Sequence, residues 1–160
     1  MSSVPRTTIV DGSPVTMADV APRLAAAMAE FQRVAYPGCV DLVTRELVRI
    51  ESGRLSHCRI CRNLRLHAAI DRGFEESMVD ALDDPEHSDL PEHQKAAVVF
   101  ARAFLTSPET FDTDARAALI RHFTPVQIAE LVLDLVRFRP GSKLTVAAGT
   151  EPPVEELVYL

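Results

Sequence analysis

The sequence of 160 residues has no tryptophan, two tyrosines, six glycines and three cysteines. So few aromatics offer little surface for base stacking. The scarce glycines form no loop able to cradle phosphate. No apolar run approaches the ~18 residues needed to cross a bilayer, so no membrane span is expected. The first residues, MSSVPRTTIVDGSP, carry one arginine and no apolar core segment. An export signal is therefore not expected, and a cytoplasmic location is. Positive charge is also short: 17 Lys and Arg stand against 23 Asp and Glu, a net charge of −6. A phosphate backbone would be repelled on average, so nucleic acid is not an expected partner. What is present is 47% hydrophobic residues, enough at this length for one buried core.

The periodicity is helical throughout, with no alternating strand pattern and no repeat, so the expected class is all-α. Residues 1–15 carry Pro5, Gly12 and Pro14 and are expected as an arm. Residues 16–149 are expected as a helical domain of about seven helices, and 150–160 as a tail. Thr16 caps a helix over 17–34, closed by Pro37-Gly38. A second covers 39–51, with Val43, Leu47 and Ile50 as its apolar stripe and Gly53 as its stop. Ser56 caps a third that runs unbroken to residue 72, stopped by Gly73. A short fourth spans 75–82. Pro91 starts a fifth that runs to 106, and Asp112 caps a sixth over 115–122. The seventh, 126–138, is broken by Pro140-Gly141. The end of the chain, VEELVYL, follows Pro152-Pro153 and is expected to pack on a neighbouring subunit.

The chemistry concentrates at Cys58 and Cys61. A C-x-x-C in a chain without an export signal points to redox or metal chemistry. Cys58 falls in the first turn of the expected third helix, where unpaired N–H groups and the helix dipole stabilise a thiolate. Arg59, Arg62 and Arg65 add positive charge. Position on the helix therefore favours Cys58 over Cys61 as the first to alkylate. Cys61 lies three residues on, hence on the same face, and can close a disulfide once Cys58 is oxidised. Arg65, four beyond Cys61, continues that stripe. On the second helix Glu46 points along the apolar face. A carboxylate there must be protonated or paired, with Arg49 or Arg65 as the nearby candidates. It is expected to serve as proton donor and acceptor. His57 adjoins Cys58 and is a further candidate, although a solvated histidine is the plainer reading. His67 faces away. Cys39 has no partner at motif spacing and is expected as a buried, inert thiol.

Glu46, Cys58 and Cys61 together resemble the alkylhydroperoxidase-D-like (AhpD-like) branch of the carboxymuconolactone decarboxylase superfamily. That pattern is a Glu, eleven residues, then C-x-x-C; here Glu46 stands twelve positions before Cys58 and CRIC follows in register. The stretch RNLRLHAAIDRGFEESMVDAL is also similar to the family's helix, glycine and short helix. Arg65 stands where the family has a histidine, and Ile60 where better studied members have another. The resemblance implies a small helical subunit built into a homo-trimer or hexamer. It implies a thiol-dependent peroxidase or disulfide reductase, with a peroxide or disulfide as substrate and a dithiol as electron donor. Cys58, Cys61, Glu46, Arg65 and His57 are the expected site residues, with no cofactor and no metal. Three alternatives stand beside it: a lyase of the carboxymuconolactone decarboxylase type, a zinc module built on the cysteine pair, and a non-catalytic helical interaction protein. A single C-x-x-C supplies only two of the four ligands structural zinc usually takes.

Overall fold

A computed structural model describes residues 8–10, 13–14, 19, 21–34, 38–147 and 156–160. The helices in chain order are α1 (Pro22–Val34), α2 (Leu42–Leu55), α3 (Arg59–Asn63), α4 (His67–Ile70), α5 (Ser77–Asp80), α6 (Glu92–Thr106), α7 (Thr113–His122) and α8 (Pro125–Ala147). Two small sheets accompany them. One pairs β1 (Thr8–Val10) with β2 (Ser13–Pro14), antiparallel; the other pairs β3 (Leu64–Arg65) with β4 (Val158–Tyr159), parallel. Both are departures from the expected absence of strands. The first lies in the expected arm, and the second folds the chain's end onto its own chain. Thr16 lies outside the described residues.

α2 is the central element. It starts at Asp41, whose carboxylate accepts from the Thr44 N–H at 2.8 Å and the Thr44 hydroxyl at 2.7 Å, satisfying one of the otherwise orphaned first N–H groups. α6, α3 and α8 pack around it. On one side Val48 joins Ala97, Phe100, Leu119, Leu131 and Leu135; on the other Val43, Leu47 and Ile50 join Phe74, Leu82 and Val98. Each of these Val, Leu, Ile and Phe side chains contributes about 1.5–3 kcal/mol on full burial. Surrounded this way, α2 has no wet face, and its charged residues meet partners instead. Arg45 reaches Asp134 of α8 by hydrogen bonds of 2.7 and 2.9 Å and Glu130 at 3.2 Å. Glu51 accepts from Arg102 of α6 at 2.6 Å. Burying these charges is tolerable because each is paired.

The capping signals of α6 and α7 appear as read. Pro91 occupies the N-cap of α6, and Asp112 accepts from Ala115 N–H at 2.8 Å to cap α7. Three expected boundaries fail. Gly53 does not end its helix; it sits inside α2, where a side chain would collide with Cys61. The segment 56–72 is not one helix but α3, β3 and α4. The physical reason is that side chains of α2 take over its backbone hydrogen bonds. Arg49 donates to the carbonyls of Cys61 at 2.9 Å and Leu64 at 2.5 Å, and Glu46 accepts from Leu66 N–H at 3.1 Å. The chain's end completes the exchange: Leu160 N–H donates to Arg65 O at 2.9 Å, and His67 N–H to Leu160 O at 2.8 Å. Finally, α8 runs through Pro140 to Ala147. Pro140 and Val136, four residues earlier, are both exposed, so the carbonyl that loses its donor is open to water.

Candidate functional site

Cys58 and Cys61 are joined as a disulfide, with Cα atoms 5.3 Å apart. Cys58 is the N-cap of α3, and its sulfur accepts from Cys61 N–H at 3.3 Å. Access differs sharply between the two. Cys58 is 0% exposed, whereas Cys61 is half-buried and faces a cavity of about 430 Å³. Ile60, Leu64, Leu66, Phe138 and Leu160 give that cavity an apolar lining, with Arg49 and Arg137 at its wall. Access thus favours Cys61, whereas position on the helix favours Cys58 as the first to alkylate. A one-turn helix with a buried cap residue gives its first cysteine no contact with solvent.

The close approach of α2 to Cys61 depends on Gly53. A Cβ there would stand 2.7 Å from Cys61 Cβ and 3.0 Å from Cys61 C. Only glycine lets α2 approach the second cysteine this closely. Behind the cysteines, Glu46 is fully buried and its carboxylate binds Arg49 in a two-pronged pair, both bonds 2.8 Å. Such bidentate pairs fix geometry as well as charge. Through Arg49 this pair grips the Cys61 and Leu64 carbonyls, and through Glu46 itself the Leu66 N–H. The carboxylate is therefore tied to Arg49 and not to Arg65.

Arg65 is placed elsewhere. It is 2% exposed and pairs with Glu76, while also donating to the carbonyls of Arg62 and Leu64 and lying over the Phe74 ring. Its guanidinium secures the segment after the dithiol, so the expected Glu46–Arg65 pair does not form. His57 is exposed, with its backbone in the left-handed region at φ 54° and its N–H donating to Arg54 O at 3.0 Å. Among the described residues its ring makes no hydrogen bond. Cys39 is free and exposed, not buried; the Glu130 carboxylate accepts from its N–H and that of Val40 at 2.7 and 3.1 Å, holding its backbone at the surface. Among the described residues no group of three or more His, Cys, Asp or Glu is placed to hold a metal.

One member of the site had no signal in the sequence. The Ser142 hydroxyl of α8 lies 3.1 Å from Cys61 Sγ. Serine 81 positions away, beyond a proline-glycine pair, offers no local pattern that points to the dithiol. It arrives only because α8 continues through Pro140.

No family model matches the chain. Two uncharacterized proteins of Mycobacterium tuberculosis, from strains CDC 1551 / Oshkosh and ATCC 25618 / H37Rv, are each 30% identical over 121 residues, 75% of this chain. The match spans 42% of the length of those relatives. Among solved structures, a protein of unknown function from Agrobacterium tumefaciens, proposed as the antioxidant defence protein AhpD, superposes with TM-score 0.74 at 16% identity, covering 88% of this chain and 98% of that one. An AhpD-core, peroxidase-related protein from Ralstonia eutropha JMP134 gives 0.68 at 19% identity, covering 86% and 74%. The debrominase Bmp8, with 2,3,4-tribromopyrrole bound, gives 0.67 at 19% identity, covering 81% and 71%. The names of these neighbours span more than one chemistry, and at such identities the likeness is one of backbone architecture: the chain has the AhpD-like fold of the carboxymuconolactone decarboxylase type.

Proposed function

We propose that this protein is a thiol-disulfide oxidoreductase that reduces peroxides through the Cys58–Cys61 dithiol. The observation that carries the proposal is the asymmetry of the pair, a buried Cys58 bonded to a half-buried Cys61 at the wall of an apolar cavity. In the reduced protein the Cys61 thiolate attacks one peroxide oxygen. The O–O bond breaks, the alkoxide leaves as an alcohol after taking a proton, and Cys61 becomes a sulfenic acid. The Cys58 thiol then attacks that sulfur, water leaves and the disulfide closes. A dithiol donor restores the cycle: its thiolate attacks Cys61, the accessible sulfur, Cys58 leaves, and the donor's second thiol releases Cys61 as the donor is oxidised. Cys61 is thus attacker toward peroxide and target toward the donor, with Cys58 as the resolving partner.

Glu46 works through Arg49, as a positioning residue that holds the Cys61 carbonyl and the strand after it. Arg65 secures that strand from the other side. We place His57 outside the reacting groups. A dithiol that must be re-reduced at each turn suits a reducing compartment, which favours the cytoplasm. We also propose that copies of the chain associate through α8. Val126, Ala129, Leu133, Val136 and Pro140 are all exposed along it at alternating spacings of three and four, the pattern of a helix seam. The test of function is peroxide-dependent oxidation of a dithiol donor, run beside Cys58→Ser and Cys61→Ser. Turnover in the parent protein that both substitutions abolish supports the proposal; turnover that survives them, or none at all, contradicts it.

A further inference from the structure

We infer that Ser142 is a positioning residue whose hydroxyl changes acceptor with the redox state of the dithiol, serving the Phe138 carbonyl when the disulfide is closed and the Cys61 sulfur when it is open. The inference rests on the reading that the pair cycles, and it adds a residue outside the C-x-x-C motif. Ser142 is 5% exposed, and its Oγ lies 3.1 Å from Cys61 Sγ and 3.1 Å from Phe138 O. A hydroxyl has one hydrogen to give, and here two acceptors compete for it. A disulfide sulfur is uncharged and a weak acceptor, so in the closed state the hydrogen goes to the carbonyl. Reduction leaves a full negative charge on Cys61 once its proton is released to solvent. A charge-assisted bond is roughly twice as strong as a neutral one, so the hydroxyl turns to the sulfur. The turn is a rotation about one bond. It strands nothing, because the Phe138 carbonyl is the i−4 acceptor of the Ser142 N–H in a helix.

The two sulfurs are served separately. Cys58 Sγ accepts the Cys61 N–H at 3.3 Å, and Cys61 Sγ faces the serine. The serine supports the sulfur that faces the cavity, where a thiolate is needed. The electrons come from the dithiol donor already named, and no further reactant is required.

The experiment compares the parent protein with Ser142→Ala, Ser142→Thr and Ser142→Val. Threonine and valine share a shape and differ by the hydroxyl, so their comparison removes any effect of packing. Two quantities are read on the full chain without peroxide: the pH midpoint of Cys61 alkylation, by peptide mapping after reduction, and the thiol-disulfide equilibrium of the pair against glutathione. Alanine and valine should weaken Cys61 as an acid about tenfold, read as a raised pH midpoint of alkylation, and at pH above both midpoints shift the equilibrium toward the disulfide by a similar factor, as expected for loss of one hydrogen bond to a charged group. Threonine should restore both. Equal midpoints and equal equilibria in the threonine and valine proteins would overturn the inference. Failure of the peroxidase proposal would look different: the parent protein would not turn over peroxide, while the serine effect on both quantities would remain.

Discussion

The Glu46 carboxylate and the Arg49 guanidinium, buried together one turn apart on α2, are joined by two hydrogen bonds of 2.8 Å, and Arg49 extends from that pair to the Cys61 carbonyl at 2.9 Å. One ion pair thus anchors the backbone at Cys61. Glu46→Gln keeps the shape and leaves a buried arginine without its counter-charge, which costs about 3 kcal/mol. Dithiol exchange should slow by roughly tenfold at every pH, because the loss is one of position. Stopped-flow exchange over a pH series checks this. A profile whose midpoint moves would make Glu46 the proton acceptor expected from sequence.

Gly53→Ala places a methyl 2.7 Å from Cys61 Cβ. An alanine inside a helix normally gains up to ~1 kcal/mol over glycine. Here overpacking against a neighbouring backbone costs about 1–3 kcal/mol, so the net change should be destabilising. Calorimetry should show a Tm lowered by several degrees, with slower closure of the disulfide. A raised Tm would mean that α3 moves away from α2 at little cost.

Leu133 and Val136, each 43% exposed, sit at the middle of the α8 seam. Leu133→Glu should dissociate the proposed assembly without unfolding the subunit, since the side chain is not part of the core. Light scattering at micromolar concentration reads this directly. A parent protein that already runs as a monomer would end the proposal.

His87 and Asp84 form an exposed pair 3.0 Å apart. The hydrogen bond to Asp84 is the main cause that raises His87 above 6.5, and the same bond holds Asp84 below 3.8. The contribution from His87 is complete below 6.5 and is lost as pH rises through its raised midpoint. That from Asp84 is complete above 3.8 and is lost as pH falls through its lowered one. The pair therefore acts between those limits. Asp84→Asn should return His87 toward 6.5, read by NMR titration of the imidazole. An unmoved midpoint would show that the contact is not kept in solution.

The legible parts of the fold were those set by local chemistry. Pro91 and Asp112 mark helix starts because capping needs only neighbours in sequence. The stripe of Val43, Leu47 and Ile50 is core because helical spacing puts it on one face. The cysteines and Glu46 stood out as residue types at a telling spacing. What stayed hidden is long-range. The Arg45–Asp134 pair joins residues 89 apart, so nothing near either one announces it. Residues 56–72 have helical composition, yet their carbonyls and N–H groups are claimed by Arg49, Glu46 and Leu160. Pro140 removes one N–H from α8 without ending it, since buried Leu135 and Ser142 hold the helix on either side. Ser142 and the exposed Cys39 follow from packing alone. The expectation that Arg65 joins the dithiol needs a helix unbroken over 56–72, and the chain forms three short elements there instead.

Cys61 is the half-buried sulfur at the cavity, and Cys58 is its hidden partner. Alkylation of the folded, reduced protein by iodoacetamide, followed by peptide mapping of Cys58 and Cys61 over time, tests that most directly. Cys61 should be modified at least tenfold faster, and prior modification should prevent disulfide formation with peroxide; modification of Cys58 first, or a disulfide formed instead with Cys39, would contradict it.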